Sequence, residues 1–259
     1  MNRKWIRVTT TETDPNRTLA ALKQTFPRMR LGDLVHTAGR LRAGLPVVVK
    51  QREVQDTGAL TLTLEDGPML PLQAEPHPAF EHAWFGLKAL LYPIVPFAYD
   101  CLEGPALEED VALLEADLGR ALPAELKSLL SLHDGQRAAG PLLWELAPIC
   151  ERLMTWQWLN RSGHPLEWWN PDWFPVFSNG SGDYLVLDLS QPEPPLIEYR
   201  HDEEERIVVA PSLSSWIAQL HEELCTGQLF ASTVDGRFSG LTRVVPTEPR
   251  MQVIRFDYS

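Results

Sequence analysis

His133-Asp134, His201-Asp202 and His221-Glu222-Glu223 each set an imidazole beside carboxylates. A histidine held by a carboxylate is a common acid–base unit, and the string HEELC at 221–225 opens like a zinc-protease helix. Spacing argues against both chemistries. Adjacent residues on a helix or strand point in different directions and cannot pair with each other, and HEELC lacks the second histidine that a metal pair requires. Ser181 in NGSGD has no residue between it and either glycine, so it misses the nucleophile-elbow pattern. Cys101, Cys150 and Cys225 are odd in number and far apart, which fits neither a disulfide framework nor a zinc knuckle. The expectation is a non-enzymatic chain without a catalytic residue, a cofactor or a metal site.

Binding is the better-supported chemistry. Seven of the nine tryptophans lie between 144 and 216, and a ring that hides roughly 150–250 Å² belongs by default in a core. Trp168 and Trp169 are consecutive, however, and in an extended segment they face opposite ways. One of them is expected to be partly exposed beside Asp172. The run Asp202, Glu203, Glu204, Glu205 reads as an acidic loop tip. Together with Trp168, Trp169 and Asp172 it makes up the candidate partner-binding set, an aromatic group ringed by negative charge. A second set is structural. Asn179, Gly180 and Gly182 in SNGSGD tolerate positive φ, and Asp183 and Asp188 are placed to accept backbone N–H bonds that hold a hairpin.

The charge distribution narrows the partner. Residues 1–104 carry 12 basic and 11 acidic groups, whereas 105–259 carry 11 and 24. The second segment is strongly negative. Such a field repels phosphate backbones and speeds encounter with a basic protein, so the expected partner is a basic protein and neither nucleic acid nor membrane. With 44% apolar and 22% charged residues, the 259-residue chain has the composition of a globular protein. No apolar run is long enough to cross a bilayer. The opening MNRKWIRVTTTETD is followed by no apolar signal region, which sets the expected location in the cytoplasm.

Periodicity supplies the elements. A strand is predicted at Trp5–Thr9 and a helix from Thr18 to Phe26, followed by a second helix with Leu31, Leu34, Val35, Ala38 and Leu41 on its apolar face. PVVVK at 46–50 and ALTLTLEDG at 59–67 read as short antiparallel strands. From Gly67 to Pro105 the density of prolines predicts a segment that wraps over a surface without long regular elements. After Pro105, Leu107, Val111, Leu114 and Leu118 form a helical stripe, with Glu108, Glu109 and Asp110 in the first turn favoured by the macrodipole and Gly119 as the stop. Pro123 opens the next helix, with Leu126, Leu129 and Leu130 inside. A less regular tryptophan-rich stretch then leads to a hairpin of FPVF and YLVLDL, two strands in LIEYR and IVV, and a helix from Leu213 to Leu224 capped by Ser212 or Ser214. Beyond Gly227, a strand pair is expected around Asp235-Gly236, with VVP and MQVIRF as candidate strands.

That order of elements resembles the SUKH superfamily, which includes the yeast Smi/Knr-type cell-wall assembly regulator and many bacterial toxin-immunity proteins. Four stretches carry the resemblance: LEEDVALLEADLGRALPAELKSLLSLHDG at 107–135, WWNPDWFPVFSNGSGDYLVLDLS at 168–190, LIEYRHDEEERIVVAPS at 196–212, and the closing helix. The Leu-Gly-x-x-Leu-Pro junction of the helices, followed by the Trp-Phe-Pro hairpin with its Gly-x-Gly-Asp-Tyr turn, is its most specific part. The resemblance implies an α+β domain with a mixed or antiparallel sheet packed against helices, and a protein-binding module without established chemistry. In bacterial members the implied task is to bind and neutralise a toxin, often a nuclease. Two alternatives stay open: a regulator or scaffold of cell-wall or envelope synthesis, and an enzyme acting on a small polar substrate. The expected organisation is an N-terminal α+β segment of unknown type at 1–104, a SUKH-like domain at 105–226, and a C-terminal strand extension at 227–259.

Overall fold

The computed structural model describes residues 4–12, 14–27, 29, 31–42, 44, 47–50, 58, 60–66, 70–94, 102–136, 144–146, 148–161, 169–234, 237–244 and 252–254. Its class is α+β. The first unit is a three-stranded antiparallel sheet of β1 (Lys4–Thr9), β2 (Val47–Lys50) and β3 (Thr61–Asp66), with β1 in the centre. Two helices connect β1 to β2, α1 (Pro15–Thr25) and α2 (Leu31–Arg42). α1 starts earlier than its apolar periodicity suggests because Asp14 caps it, accepting the N–H groups of Asn16 and Arg17 at 2.8 and 3.2 Å, with Pro15 in the first turn. Val8, Leu22, Phe26, Leu34, Ala38, Leu41, Val47 and Leu60 make its core. Val35, expected on the inner face of α2, is 55% exposed.

The prolines between Gly67 and Pro105 do not keep that segment irregular. It contains α3 (Pro78–Leu91), a 14-residue helix. Pro78 occupies the first turn, where its missing N–H costs nothing, and none follows until Pro93, so the spacing of prolines matters more than their number. His77 caps the helix by accepting the Phe80 N–H at 3.3 Å through Nδ1. Phe80, Ala83, Trp84, Leu87 and Leu91 form a buried stripe that enters the main core.

That core is built by α3, α4 (Glu108–Leu118), α5 (Ala124–Leu132) and α7 (Leu213–Cys225) against one face of a six-stranded sheet. The strands are β4 (Glu145–Leu146), β5 (Trp173–Ser178), β6 (Tyr184–Asp188), β7 (Leu196–Tyr199), β8 (Arg206–Ala210) and β11 (Gln252–Ile254), in the order β11-β8-β7-β6-β5-β4. Every pairing in it is antiparallel. Gly119 ends α4 with φ 67°, and Ser212, not Ser214, caps α7. The opposite face of the sheet carries a second cluster of Trp169, Trp173, Val186, Ile197, Tyr199 and Val208, closed by Leu159.

Two further elements depart from the periodicity. The tryptophan-rich stretch contains α6 (Ile149–Arg161). The N–H of its first residue is bonded by Asp134 Oδ1 at 2.8 Å, a cap donated from 15 residues earlier, so no local signal announces the start. At the other end, β9 (Leu229–Val234) and β10 (Arg237–Arg243) pair around the expected turn, whose Asp235 and Gly236 lie outside the described residues. Of VVP, Val244 follows the end of β10 at Arg243, and Val245 and Pro246 lie outside the described residues. MQVIRF instead supplies β11, which pairs with β8 at the edge of the main sheet.

Asp110 is not a solvated first-turn charge. It is fully buried and pairs with Arg40 of α2, Nη2 to Oδ2 2.6 Å, while the neighbouring Glu109 receives both terminal nitrogens of Arg7 from β1. Burial pushes the Asp110 carboxyl up to about 6, against the opposing pull of Arg40, with Asp134 and Glu109 adding to the rise. A carboxyl raised in the folded state favours folding most below its unfolded value and loses that contribution as pH rises through about 6. Asp110→Asn is therefore expected to flatten the pH dependence of unfolding free energy between about pH 4 and 6, measured by denaturant titration. Trp84→Ala, which empties the centre of the α3 stripe, is expected to cost roughly 3–5 kcal/mol in the same assay. The exposed neighbour Phe85→Ala should change stability by less than about 1 kcal/mol.

Candidate functional site

The strand-end loops 179–183 and 200–205 meet at one corner of the main sheet. Their meeting starts with the hairpin turn. Asn179 Oδ1 accepts the N–H groups of Ser181 and Asp183 at 2.8 and 3.3 Å, and Ser178 Oγ accepts that of Gly180 at 3.1 Å. Gly180 and Gly182 take φ of 74° and 102°, where a side chain would be strained. The turn thereby aims Asp183 away from its own hairpin and toward the next loop. Asp183 Oδ1 accepts the backbone N–H of His201 at 3.1 Å and lies 2.7 Å from its Nδ1, while Oδ2 accepts the Asn179 amide at 2.7 Å.

His201 thus pairs with Asp183, 18 residues back, and not with adjacent Asp202. Sequence spacing could not reveal that pair, because the β6–β7 pairing of Tyr184 with Tyr199 creates it. Burial pushes the Asp183 carboxyl up, but the hydrogen bonds from His201 and Asn179 outweigh that and leave it below the usual carboxylate range. The bond to Asp183 raises the exposed His201 imidazole above its ordinary value. Asp183, His201 and Asp202 present ligand atoms within 4.8 Å of one another, the arrangement a cation could use. Both Asp183 oxygens are already engaged, so a cation there would have to displace bonds that hold the corner together.

The loop that carries the acidic run is held from below. Arg206 is fully buried, stacks 4.4 Å over the Tyr199 ring, and donates through Nη1 to the carbonyls of Glu203 and Glu205. Arg200 links buried Glu198 to Glu203 at 2.8 Å each. Asp202 and Glu204 are exposed at the tip, with Glu203 and Glu205 half-buried. The loop is therefore a fixed platform for negative charge, braced by a buried cation.

Trp169 and Asp172 of the expected partner-binding set are not gathered there. Trp169 is only 5% exposed and meets Trp173 and Tyr199 edge to face at 5.8 and 5.2 Å, so it belongs to the core and is not available to a partner. The second cluster covers the sheet face on which Trp169 lies. Trp168 lies outside the described residues. Asp172 accepts Arg120 Nη2 at 2.6 Å, and Arg120 also holds the Leu189 carbonyl, which ties the α4–α5 junction to the end of β6. Asp188 accepts the backbone and hydroxyl of Ser190 at 3.0 and 2.6 Å and closes the β6 end.

The remaining histidine–carboxylate pairs also separate. His133 is half-buried against Trp84 and bonds the Glu103 carbonyl at 2.9 Å, with burial lowering its imidazole, while Asp134 caps α6. Glu223, two residues after His221, pairs with Arg243 at 2.8 Å. The aromatic that the sequence reading missed is Trp158 on α6, 53% exposed.

The corner makes a titration prediction. A raised His201 and a lowered Asp183 keep both charges between the two shifted values, so the contact weakens as pH falls through the Asp183 value and again as pH rises through that of His201. Asp183→Asn is expected to return the His201 imidazole to near about 6.5, followed by NMR titration of its ring protons. An unchanged titration would mean that the pairing does not set the His201 charge.

No helix among the described residues is long and apolar enough to cross a membrane. No curated protein matches the chain. A family model, described as the SMI1 / KNR4 family (SUKH-1), matches residues 105–219. Those residues run from just before α4 into α7 and include the braced corner, while the first sheet, α3 and the last strands lie outside the match. Over residues 105–219, somewhat under half of its length, the chain is similar to the SMI1 / KNR4 family (SUKH-1).

Proposed function

We propose that this chain is a non-enzymatic binding protein of the immunity type, which docks its acidic corner onto a basic toxin domain, a nuclease being the best fit, and neutralises it in the cytoplasm. Binding is assigned to residues 105–226, with 1–104 and 227–259 as accessory segments. The observation that carries the reading is the bracing of Asp202–Glu205 by buried Arg206. A loop already held in one conformation loses little entropy on docking, so its charges act as a preformed surface. The net charge of the second segment, with 11 basic against 24 acidic groups, adds long-range attraction for a cationic partner. The family match supports a protein-binding role in general.

The test uses the full-length chain and any nuclease domain encoded by a gene adjacent to its own, and neighbouring genes that encode no toxin would count against the proposal. A complex that suppresses nuclease activity in vitro is expected, and Asp202→Lys with Glu204→Lys should weaken it by at least about tenfold and flatten its salt dependence. Calorimetric titration that detects no complex with that domain, or a complex indifferent to the charge reversals, would sink the proposal.

A further inference from the structure

Helix α6 lies beside the acidic corner: Thr155 and the Glu151 carboxylate both act on the phenol of Tyr184, the residue that follows Asp183. Glu151, Thr155 and Trp158 are spaced i, i+4 and i+7, so they share one face of the helix. Leu153 and Leu159 are buried, whereas Glu151 and Trp158 are exposed. An exposed aromatic surface thus shares a helix face with Glu151 and with Thr155, which borders Tyr184 next to the Asp183 corner.

We infer that Trp158 is the anchor of the docking surface, receiving an arginine side chain of the partner while the carboxylates of the corner and of Glu151 supply the charged rim. The inference rests on the basic-partner reading above and names the contact that reading leaves open. Charge complementarity selects the occupant. An acidic rim repels phosphate and carboxylate groups, and a planar guanidinium can stack on an indole face while its N–H groups reach carboxylates, which a compact ammonium does less well. Fully or mostly desolvated tryptophans at the centre of interfaces carry a disproportionate share of affinity, and charged rims mainly govern encounter. The two parts therefore separate by experiment.

The full-length chain is titrated calorimetrically with a deca-arginine peptide and, separately, a deca-lysine peptide. Wild type should bind the arginine peptide more tightly. Trp158→Ala should lose that preference and about tenfold of the arginine affinity with its unfolding midpoint unchanged, and Trp158→Phe, which keeps a ring, should recover part of it. Asp202→Lys with Glu204→Lys should weaken both peptides alike. If Trp158→Ala binds both peptides as wild type does, the anchor is wrong while the acidic corner stands. If wild type binds neither peptide, the basic-partner reading and the anchor fall together.

Discussion

Both faces of the β5–β8 sheet are buried, and this constraint decides where the molecule can meet anything else. The helical core covers one face and the Trp169–Trp173–Tyr199 cluster covers the other, so every residue of β7 and β8 is buried. Neither sheet face is left open to a partner. Recognition is left to the strand ends and the outer faces of the helices. At the 179–183 and 200–205 end, the sheet converts its own rigidity into a fixed loop, because Asp183 and Arg206 fasten backbone groups that would otherwise be free to move.

The same economy of polar groups joins the N-terminal unit to the rest. Its core is a separate cluster, and the connection to α4 is made by Arg7 and Arg40 on two successive carboxylates. A buried ion pair of this kind contributes little net stability, since desolvation offsets most of the attraction. Breaking it is costly, because one charge would remain buried alone. Its effect is to help fix orientation, since Arg40 of α2 pairs with Asp110 in the first turn of α4.

Much of the fold was legible locally. The α4 and α5 stripes, the Gly119 stop, the β5–β6 hairpin and the α7 cap each follow from short-range physics, namely apolar period, positive φ at glycine and side-chain capping. The failures share a cause. α6 begins at a cap supplied by distant Asp134, α3 was hidden by prolines that lie outside it or in its first turn, and β11, expected as a strand, has β8 for its partner.

The candidate site divides the same way. Sequence alone determined the acidic loop, the Asn-Gly turn, the sign of the electric field and the tryptophan-rich interior, since charge and backbone permissiveness are properties of residues and their immediate neighbours. Tertiary structure alone decided which tryptophan is exposed, which carboxylate holds His201 and which cation supports the loop. Those depend on strand pairing and on what covers each face, and both join residues that are far apart along the chain.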